Sequence, residues 1–310
     1  VLQGVGDSIT ALWVQLVTVT LNAVLDPLLI FGIGPFPEMG VAGAARATLM
    51  SRGVSAAAIL LILFRGRDRL SVRRADLLPR DGAWRKLIGI GIPLATGQGI
   101  AALGFTVLQG VVNSFGVAVV AAFGVGNRII GMFTMPATGL SRATAALVGQ
   151  ELGGAREDRA KRAVRLSVLT MVVFIVPAMT LTFFFGNSVV RFFVNDPEVI
   201  AHGARMFRIV SVSVVPFTLF TVINGAFQGG GDTRPVMVLN IVRLWGLRVP
   251  FAMLLAWTLA MGPVGIWIAM FISNITTAAA GFLVLRTGRW LRRIDLSVPA
   301  HRAATVAVKR

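Results

Sequence analysis

Eight stretches of this sequence are each long enough and apolar enough to cross a lipid bilayer. The hydrocarbon core of a bilayer is roughly 30 Å thick, so a helix needs about 20 mostly apolar residues to span it. Backbone polar groups find no water there, which favours helices for runs of this length. We therefore predict an all-α integral membrane protein with eight transmembrane helices, over residues 9–32, 40–64, 87–111, 117–148, 164–186, 205–227, 236–260 and 263–286.

Positive charge is concentrated in alternate connections between these stretches. Only 14% of the residues are charged, against about a quarter in soluble domains, yet Lys and Arg outnumber Asp and Glu by 30 to 13. Because short loops rich in Lys and Arg mark the cytoplasmic side, we expect both chain ends on the cytoplasmic side of the inner membrane. The connection 187–205, with His202, is then expected outside. No nucleic-acid partner is expected. The basic segments are residues 65–86, 153–165, 231–234 and 286–293.

A glycine-rich phrase occurs twice, as QGVGDS at residues 3–8 and QGGGDT at residues 228–233. An ordered series of residues follows each copy at a nearly constant offset, which indicates an internal repeat. Residues Pro27, Gly40, Gly43, Ala47 and Ser51 match Pro250, Gly262, Gly265, Ala269 and Ser273.

The repeat divides the chain into parts of two lobes. A repeating unit of six helices predicts that residues 1–64 are the last two helices of a first lobe whose opening four helices would precede Val1. Residues 65–86 are then a cytoplasmic linker, 87–293 a second six-helix lobe, and 294–310 a cytoplasmic tail. Units with an even number of helices are parallel, and the path of a transported substrate lies between such repeats.

Five segments carry a family resemblance. LNAVLDPLLIFG (21–32), GVAGAARAT (40–48), GVGNRI (124–129), GLSRATAALVGQELGGARE (139–157) and QGGGDTRP (228–235) resemble the multidrug and toxic compound extrusion transporters. The resemblance implies a twelve-helix, two-lobe fold of which this chain is an N-terminally truncated piece. It also implies export of small organic, often cationic, drugs in exchange for Na⁺ or H⁺. No other cofactor is expected, and the full-length protein is expected to be a monomer in the lipid bilayer.

Asp26 is the first candidate for ion coupling. It lies in an apolar stretch, four residues after Asn22, so both side chains share a helix face. A carboxylate at this depth is costly and is usually functional. It either exchanges a proton or, with Asn22, supplies oxygen ligands to Na⁺, the one metal ion expected. The alternative is a hydrogen bond to backbone groups freed by Pro27. The resemblance favours coupling, and adds Thr48 as a weaker third candidate.

Other polar residues are candidates for a substrate path. Asp232 either caps the helix that follows it or is a second-lobe acidic site. Arg248 either lines a central cavity or pairs with an acidic group. The remaining candidates line a polar path or merely join helices by hydrogen bonds; they are Gln98, Gln109, Asn127 and Arg128.

An ion-coupled drug antiporter is the leading functional hypothesis. A lipid-linked oligosaccharide flippase of the same superfamily is an alternative, favoured if Arg128, Arg243 and Arg248 line a cavity. A non-transporting membrane subunit is a further alternative. We expect no enzyme, because the sequence has two His, no Cys and no Tyr and no metalloprotease motif.

Overall fold

The computed structural model describes residues 8–65 and 83–291. The chain divides into two compact units, Val1–Trp84 and Arg85–Arg310, which are described separately below. The described residues form helices and short connections, and eight helices are long and apolar enough to cross a membrane, as predicted. The first glycine phrase up to residue 7, most of the predicted linker 65–86 and the predicted tail 294–310 lie outside the described residues.

The first unit is a pair of helices, α1 (Ser8–Ile30) and α2 (Gly40–Arg65). The helix α1 contains Pro27 and is followed by Gly32, whose φ of 66° is readily adopted only by glycine. The two helices approach closely at Gly43, where a Cβ atom would overlap the carbonyl group of Leu29. Gly43 therefore allows the backbones of α1 and α2 to touch, as small residues do between membrane helices.

The second unit contains the remaining six spans. Four long helices come first: α3 (Ala83–Asn113), α4 (Val117–Gly153), α5 (Glu157–Arg191) and α6 (Pro197–Gly229). The seventh span is not a uniform α-helix but runs as α7 (Arg234–Ile241), segment π1 (Val242–Arg248), α8 (Val249–Met253) and segment π2 (Leu254–Thr258). The last span is α9 (Pro263–Arg286), and a short 3₁₀ turn, Arg289–Leu291, follows it.

The helices α5 and α6 are longer than predicted. They were predicted over 164–186 and 205–227, and the expected external connection 187–205 is mostly helical, with only residues 192–196 between the helices. An apolar run ends at the membrane surface, whereas hydrogen bonding continues the helix into water. Asp196 begins α6 by accepting hydrogen bonds from the backbone N–H groups of Glu198 (2.8 Å) and Val199 (3.2 Å). His202 therefore lies on α6 and is half-buried.

The core of the second unit forms around α6, which packs against α4, α5 and α9. Several of its large side chains, including Phe207, Phe220 and Phe227, are fully buried. Large side chains that the middle of α5 turns outward are also apolar, with Val173 76% and Phe184 72% exposed. An apolar outer surface of this kind suits contact with lipid chains.

The repeated small residues are buried in both units. Gly43, Ala47 and Ser51 of α2 are buried, and so are their matches in α9. A Cβ atom at Gly265 of α9 would lie 2.6 Å from the backbone nitrogen of Ala256, in the preceding span. In each repeat, this stripe is therefore the face along which the helix is packed. The matching buried residues of α9 are Gly265, Ala269 and Ser273.

Candidate functional site

Asn22 and Asp26 form a polar pair within the first membrane span. The side-chain Nδ2 of Asn22 donates a hydrogen bond to Oδ1 of Asp26 across 3.3 Å, and both residues are half-buried. The prediction that the two side chains share a helix face is confirmed. Within residues 8–65, no Lys or Arg pairs with Asp26, and its carboxylate accepts no backbone N–H. The hydrogen bond to backbone freed by Pro27 is therefore not observed.

Thr48 does not join this pair in the first unit. It lies on α2 and is exposed, and its hydroxyl donates to the backbone oxygen of Ala44 at 3.0 Å. The buried hydroxyl of this helix belongs to Ser51, which donates to the backbone oxygen of Thr48 at 3.1 Å. Both hydroxyl hydrogens are thus used within α2.

Arg248 is the centre of a buried polar network in the second unit. Only 5% of the residue is exposed. Its Nε donates to the hydroxyl of Ser273 across 2.9 Å, and its Nη2 donates to Oδ1 of Asn274. Asn274 in turn donates from Nδ2 to the hydroxyl of Ser213 across 3.2 Å. The network therefore connects π1 to α9 and α6.

No carboxylate neutralises Arg248 within residues 83–291, so the predicted acidic partner is not found there. Its acceptors are a hydroxyl and an amide oxygen, which offer hydrogen bonds but no countercharge. Removing a guanidinium from water without a countercharge is costly. A buried arginine with neutral partners is therefore a strong candidate for contact with a negatively charged group.

The π-helical geometry places a second arginine on the same side. A π-helix bonds residue i to residue i+5, so residues five apart lie nearly one above the other. Arg243 and Arg248 are five apart in π1. The guanidinium carbon of Arg243 lies 4.4 Å from the ring centre of Phe217 on α6, a cation–π arrangement. Its Nε is buried and has no hydrogen-bond partner among the described residues.

The interruption of the seventh span has a local cause. Pro250, just beyond π1, has no backbone N–H to offer the carbonyl of Gly246, and its ring crowds that carbonyl. Pro250 therefore breaks the regular ladder of hydrogen bonds where the wider helix ends. Its counterpart in the repeat, Pro27, lies directly after Asp26. Each unit thus carries its charged candidate near a proline in the matched span.

The other predicted path residues are not brought together. Gln109 donates from Nε2 to Oδ1 of Asn113 at 2.9 Å, and Asn127 donates from Nδ2 to the backbone oxygen of Phe123 at 2.9 Å. Gln98 and Arg128 are exposed. In the part of the chain that the structure describes, none of the four predicted residues bonds to Arg248.

Asp232 does not cap the helix that follows it. The cap position of α7 is occupied by Thr233, with Pro235 in the first turn, and Thr233 makes no side-chain cap hydrogen bond. The prediction that Asp232 is the cap is therefore wrong, because the turn carries the helix start one residue further. Asp232 is half-buried and forms no ion pair within the described ranges.

Comparison with known families agrees with this arrangement of spans. Residues 93–254, more than half of the chain, match the sequence model of the MatE family. The chain belongs to the MatE family. The matched region extends from α3 past π1, so it includes Arg248 and Ser213, whereas Ser273 and Asn274 follow it.

Curated relatives of this MatE chain are named as transporters or as multidrug resistance proteins. The probable multidrug resistance protein NorM of Thermotoga maritima is 28% identical over 296 residues, which cover 96% of this chain and 64% of the relative. The probable multidrug resistance protein YpnP of Bacillus subtilis is 31% identical over 94% of this chain and 63% of its own length. A protein of Shewanella oneidensis named FAD transporter is 30% identical over 90% and 61%.

Solved MATE structures have the same fold as this chain. A MATE in the straight conformation matches with a TM-score of 0.83 and 26% identity, over 92% of this chain and 63% of the other. A transporter from Pyrococcus furiosus, described as having a binding pocket of reverse polarity, matches with a TM-score of 0.82 and 25% identity, over 92% and 63%. The chain thus spans less than two thirds of the relatives that it matches.

Some residues of this MatE chain were not singled out from the sequence as site candidates. Ser273 was noticed only as part of the repeat, and Asn274 and Ser213 were not noticed. The available signal was the polar pair Ser273–Asn274 inside an apolar helix, since polar side chains in membrane helices usually bond to another helix. No sequence pattern predicted that Arg243 and Arg248 lie on the same side of the span, because this depends on the π-helical turn.

Proposed function

We propose that the protein is a secondary active transporter that exports small organic molecules in exchange for Na⁺ or H⁺. The observation that carries the proposal is the Asn22–Asp26 pair inside a membrane span of a MatE-family chain. The names of the NorM and YpnP relatives support an organic drug as the substrate. We also propose that the protein works in the cell membrane with both described units in the bilayer, and that it is not an enzyme.

The chemistry of the pair suits a monovalent cation. The amide nitrogen of Asn22 donates to Oδ1 of Asp26, so the amide oxygen remains as a ligand beside the carboxylate. Both are hard oxygen ligands, which suit an alkali cation better than a soft metal. A proton on the carboxylate would satisfy the same need, since either ion removes the charge from a site where charge is costly. Oxygens from outside α1 must complete a Na⁺ shell, because one helix presents too few.

Coupling follows from competition for this site. With an ion bound, α1 carries no net charge at Asp26, and without it the carboxylate needs water or a cationic substrate. Ion-bound and ion-free Asp26 favour different environments around α1. Ion binding therefore shifts the equilibrium between the outward-facing and inward-facing states. A ligand shifts such an equilibrium only through its differential affinity for the two states.

The test is export by the full-length protein in inverted membrane vesicles. Asp26→Asn should abolish export driven by a Na⁺ or proton gradient while leaving the protein in the membrane. Glu38→Gln is the matched control, because Glu38 lies between the two helices of the same unit, outside the spans, and it should export normally. Unchanged, ion-dependent export by Asp26→Asn would refute the coupling role.

A second candidate function is the transport of organic anions. It is favoured by Arg248, which is buried, and by Arg243, whose Nε is buried; neither has a carboxylate partner within residues 83–291. The Shewanella relative named FAD transporter supports it, since FAD carries a pyrophosphate. A lipid-linked oligosaccharide flippase falls in the same class. Arg128 adds nothing to this case, because it is exposed and does not join the network.

Export assays with two substrates separate the two candidates. An organic cation such as ethidium and an organic anion such as FAD are each supplied outside inverted vesicles that contain the full-length protein, and their uptake is measured as export. A drug antiporter should export the cation and be insensitive to Arg248→Gln. An anion carrier should export FAD and lose that activity in Arg248→Gln.

A further inference from the structure

A groove of about 420 Å³ opens on the second unit between the start of α5 and the end of α9. Its floor and walls are almost entirely apolar, and they include Ile223 of α6, Phe282 of α9 and Trp290 of the 3₁₀ turn. Trp290 is 4% exposed, and its Nε1 donates to the backbone oxygen of Leu285 at 3.1 Å. The polar atom of the indole is thus satisfied inside the protein, and the ring belongs to an apolar wall.

Three cations line the same groove: Lys161 and Arg165 of α5, and Arg286 of α9. No carboxylate among the described residues lines it. Lys161 has an acidic neighbour in Asp158, whose carboxylate lies 3.5 Å from its ammonium, with both side chains largely exposed to solvent. An exposed pair of this kind is weak, and Arg165 and Arg286 have no acidic partner in the described residues. The groove is therefore apolar inside and positively charged at its edge.

The position of the groove matches that of lipid headgroups. Arg165 lies about two turns into α5, roughly 12 Å from its first residue, and Arg286 is the last residue of α9. Both helix ends adjoin the basic segments that the charge pattern places on the cytoplasmic side. The inner leaflet there carries anionic lipids, and basic pockets between helices on this side bind their headgroups. A tryptophan at this level is also typical of the membrane interface.

We propose that this groove binds one anionic phospholipid, with its phosphate between Arg165 and Arg286 and an acyl chain along the apolar wall. A free phosphate ion would not contact the apolar wall, and a lipid without a net negative charge would not neutralise the three cations. The site is separate from the Arg248 network and does not depend on the proposed transport function.

The test uses quenching of Trp290 by brominated lipid in the purified, detergent-solubilised protein. The contribution of Trp290 is obtained by subtracting the signal of Trp290→Phe. Dibromo-phosphatidylglycerol should quench Trp290 at a lower mole fraction than dibromo-phosphatidylcholine. Arg165→Gln with Arg286→Gln should weaken binding of phosphatidylglycerol by about fivefold for each basic residue removed.

The matched control removes the same amount of charge, both residues from α5, without touching the groove. Arg159 and Arg162 are exposed and do not line it, so Arg159→Gln with Arg162→Gln should keep the preference for phosphatidylglycerol. Arg165→Lys with Arg286→Lys should largely restore it.

Three results would overturn the proposal. Equal quenching by the two lipids would show a groove that does not select the headgroup. Equal losses in the two double Gln variants would show a general surface potential without a site. Selective quenching that appears only after truncation behind Leu291 would show that residues 292–310 occupy the groove.

Discussion

The Nε of Arg248 donates to the hydroxyl of Ser273 across 2.9 Å, joining a π-helical segment to the last membrane helix. Its other acceptor among the described residues, Asn274, is also neutral. Replacing a buried charge by an apolar side chain of similar size is often neutral or stabilising. Substituting Arg248 by an apolar residue can therefore test whether the arginine contributes to stability or to binding.

Replacing Arg248 by an apolar side chain should change the stability of the fold only slightly. We expect Arg248→Met to keep the free energy of unfolding within about 2 kcal/mol of the wild type, because the two hydrogen bonds to Ser273 and Asn274 are lost but no charge remains buried. Unfolding in detergent, followed by circular dichroism, measures this. Arg248→Lys is the control that keeps the charge and loses the planar fork. A loss of much more than 2 kcal/mol in Arg248→Met would mean that the arginine is mainly structural.

Removing the amide of Asn22 should weaken ion coupling without eliminating it. The amide oxygen of Asn22 is a proposed Na⁺ ligand, so Asn22→Ala should lower the apparent Na⁺ affinity roughly tenfold, if the ligand contributes about as much as a hydrogen bond to a charged group, about 1.5–3 kcal/mol. The measurement is ion-driven export as a function of Na⁺ concentration and of pH. Thr18→Ala is the control, because Thr18 lies one turn earlier on α1 and donates to the backbone oxygen of Val14. An equal effect of both substitutions would argue against a specific role for Asn22.

Two glycines of α2 should respond in opposite ways to alanine. A Cβ atom at Gly43 would overlap the carbonyl of Leu29, so Gly43→Ala should cost about 1–3 kcal/mol by overpacking. No atom lies within 4 Å of a Cβ built at Gly53. Gly53→Ala should therefore be neutral, or stabilising by up to about 1 kcal/mol through helix propensity. Thermal unfolding of the two variants compares them directly, and similar melting temperatures would contradict the close contact of α1 and α2.

The hydrogen bond between Thr144 and Ser167 should make a small, measurable contribution. The two hydroxyl oxygens are 2.8 Å apart and buried between α4 and α5. Such bonds between membrane helices average about 0.6 kcal/mol, so Thr144→Val should destabilise by that order. Thr170→Val is the control, because Thr170 is exposed and bonds to its own helix at Leu166. Destabilisation of the same size in both variants would show that the contact between α4 and α5 contributes nothing.

The number and order of the spans could be predicted from sequence because each depends on a local property, a long apolar run. The last span was predicted over residues 263–286, and α9 has the same bounds. The limits of α5 and α6 were missed, since charged residues continue a helix beyond the bilayer. The cap of α7 was predicted at Asp232 and lies one residue later, at Thr233, because the backbone of the glycine-rich turn determines where the helix begins.

In the candidate sites, too, local features could be predicted from sequence and contacts between helices could not. The pairing of Asn22 with Asp26 follows from their spacing on one regular helix. The partners of Arg248 come from α9, which is far along the chain, and no spacing rule within one helix predicts them. Its approach to Arg243 also required the π-helical geometry, and a helical wheel based on 3.6 residues per turn puts the two arginines on different sides.

The two π-helical segments give the seventh span more than one rotational phase. Each residue of an α-helix advances about 100° around the axis, and a wider turn advances less, so every side chain beyond π1 is rotated relative to an uninterrupted helix. The direction of Arg248 and of the side chains that follow it in the seventh span is therefore set within π1.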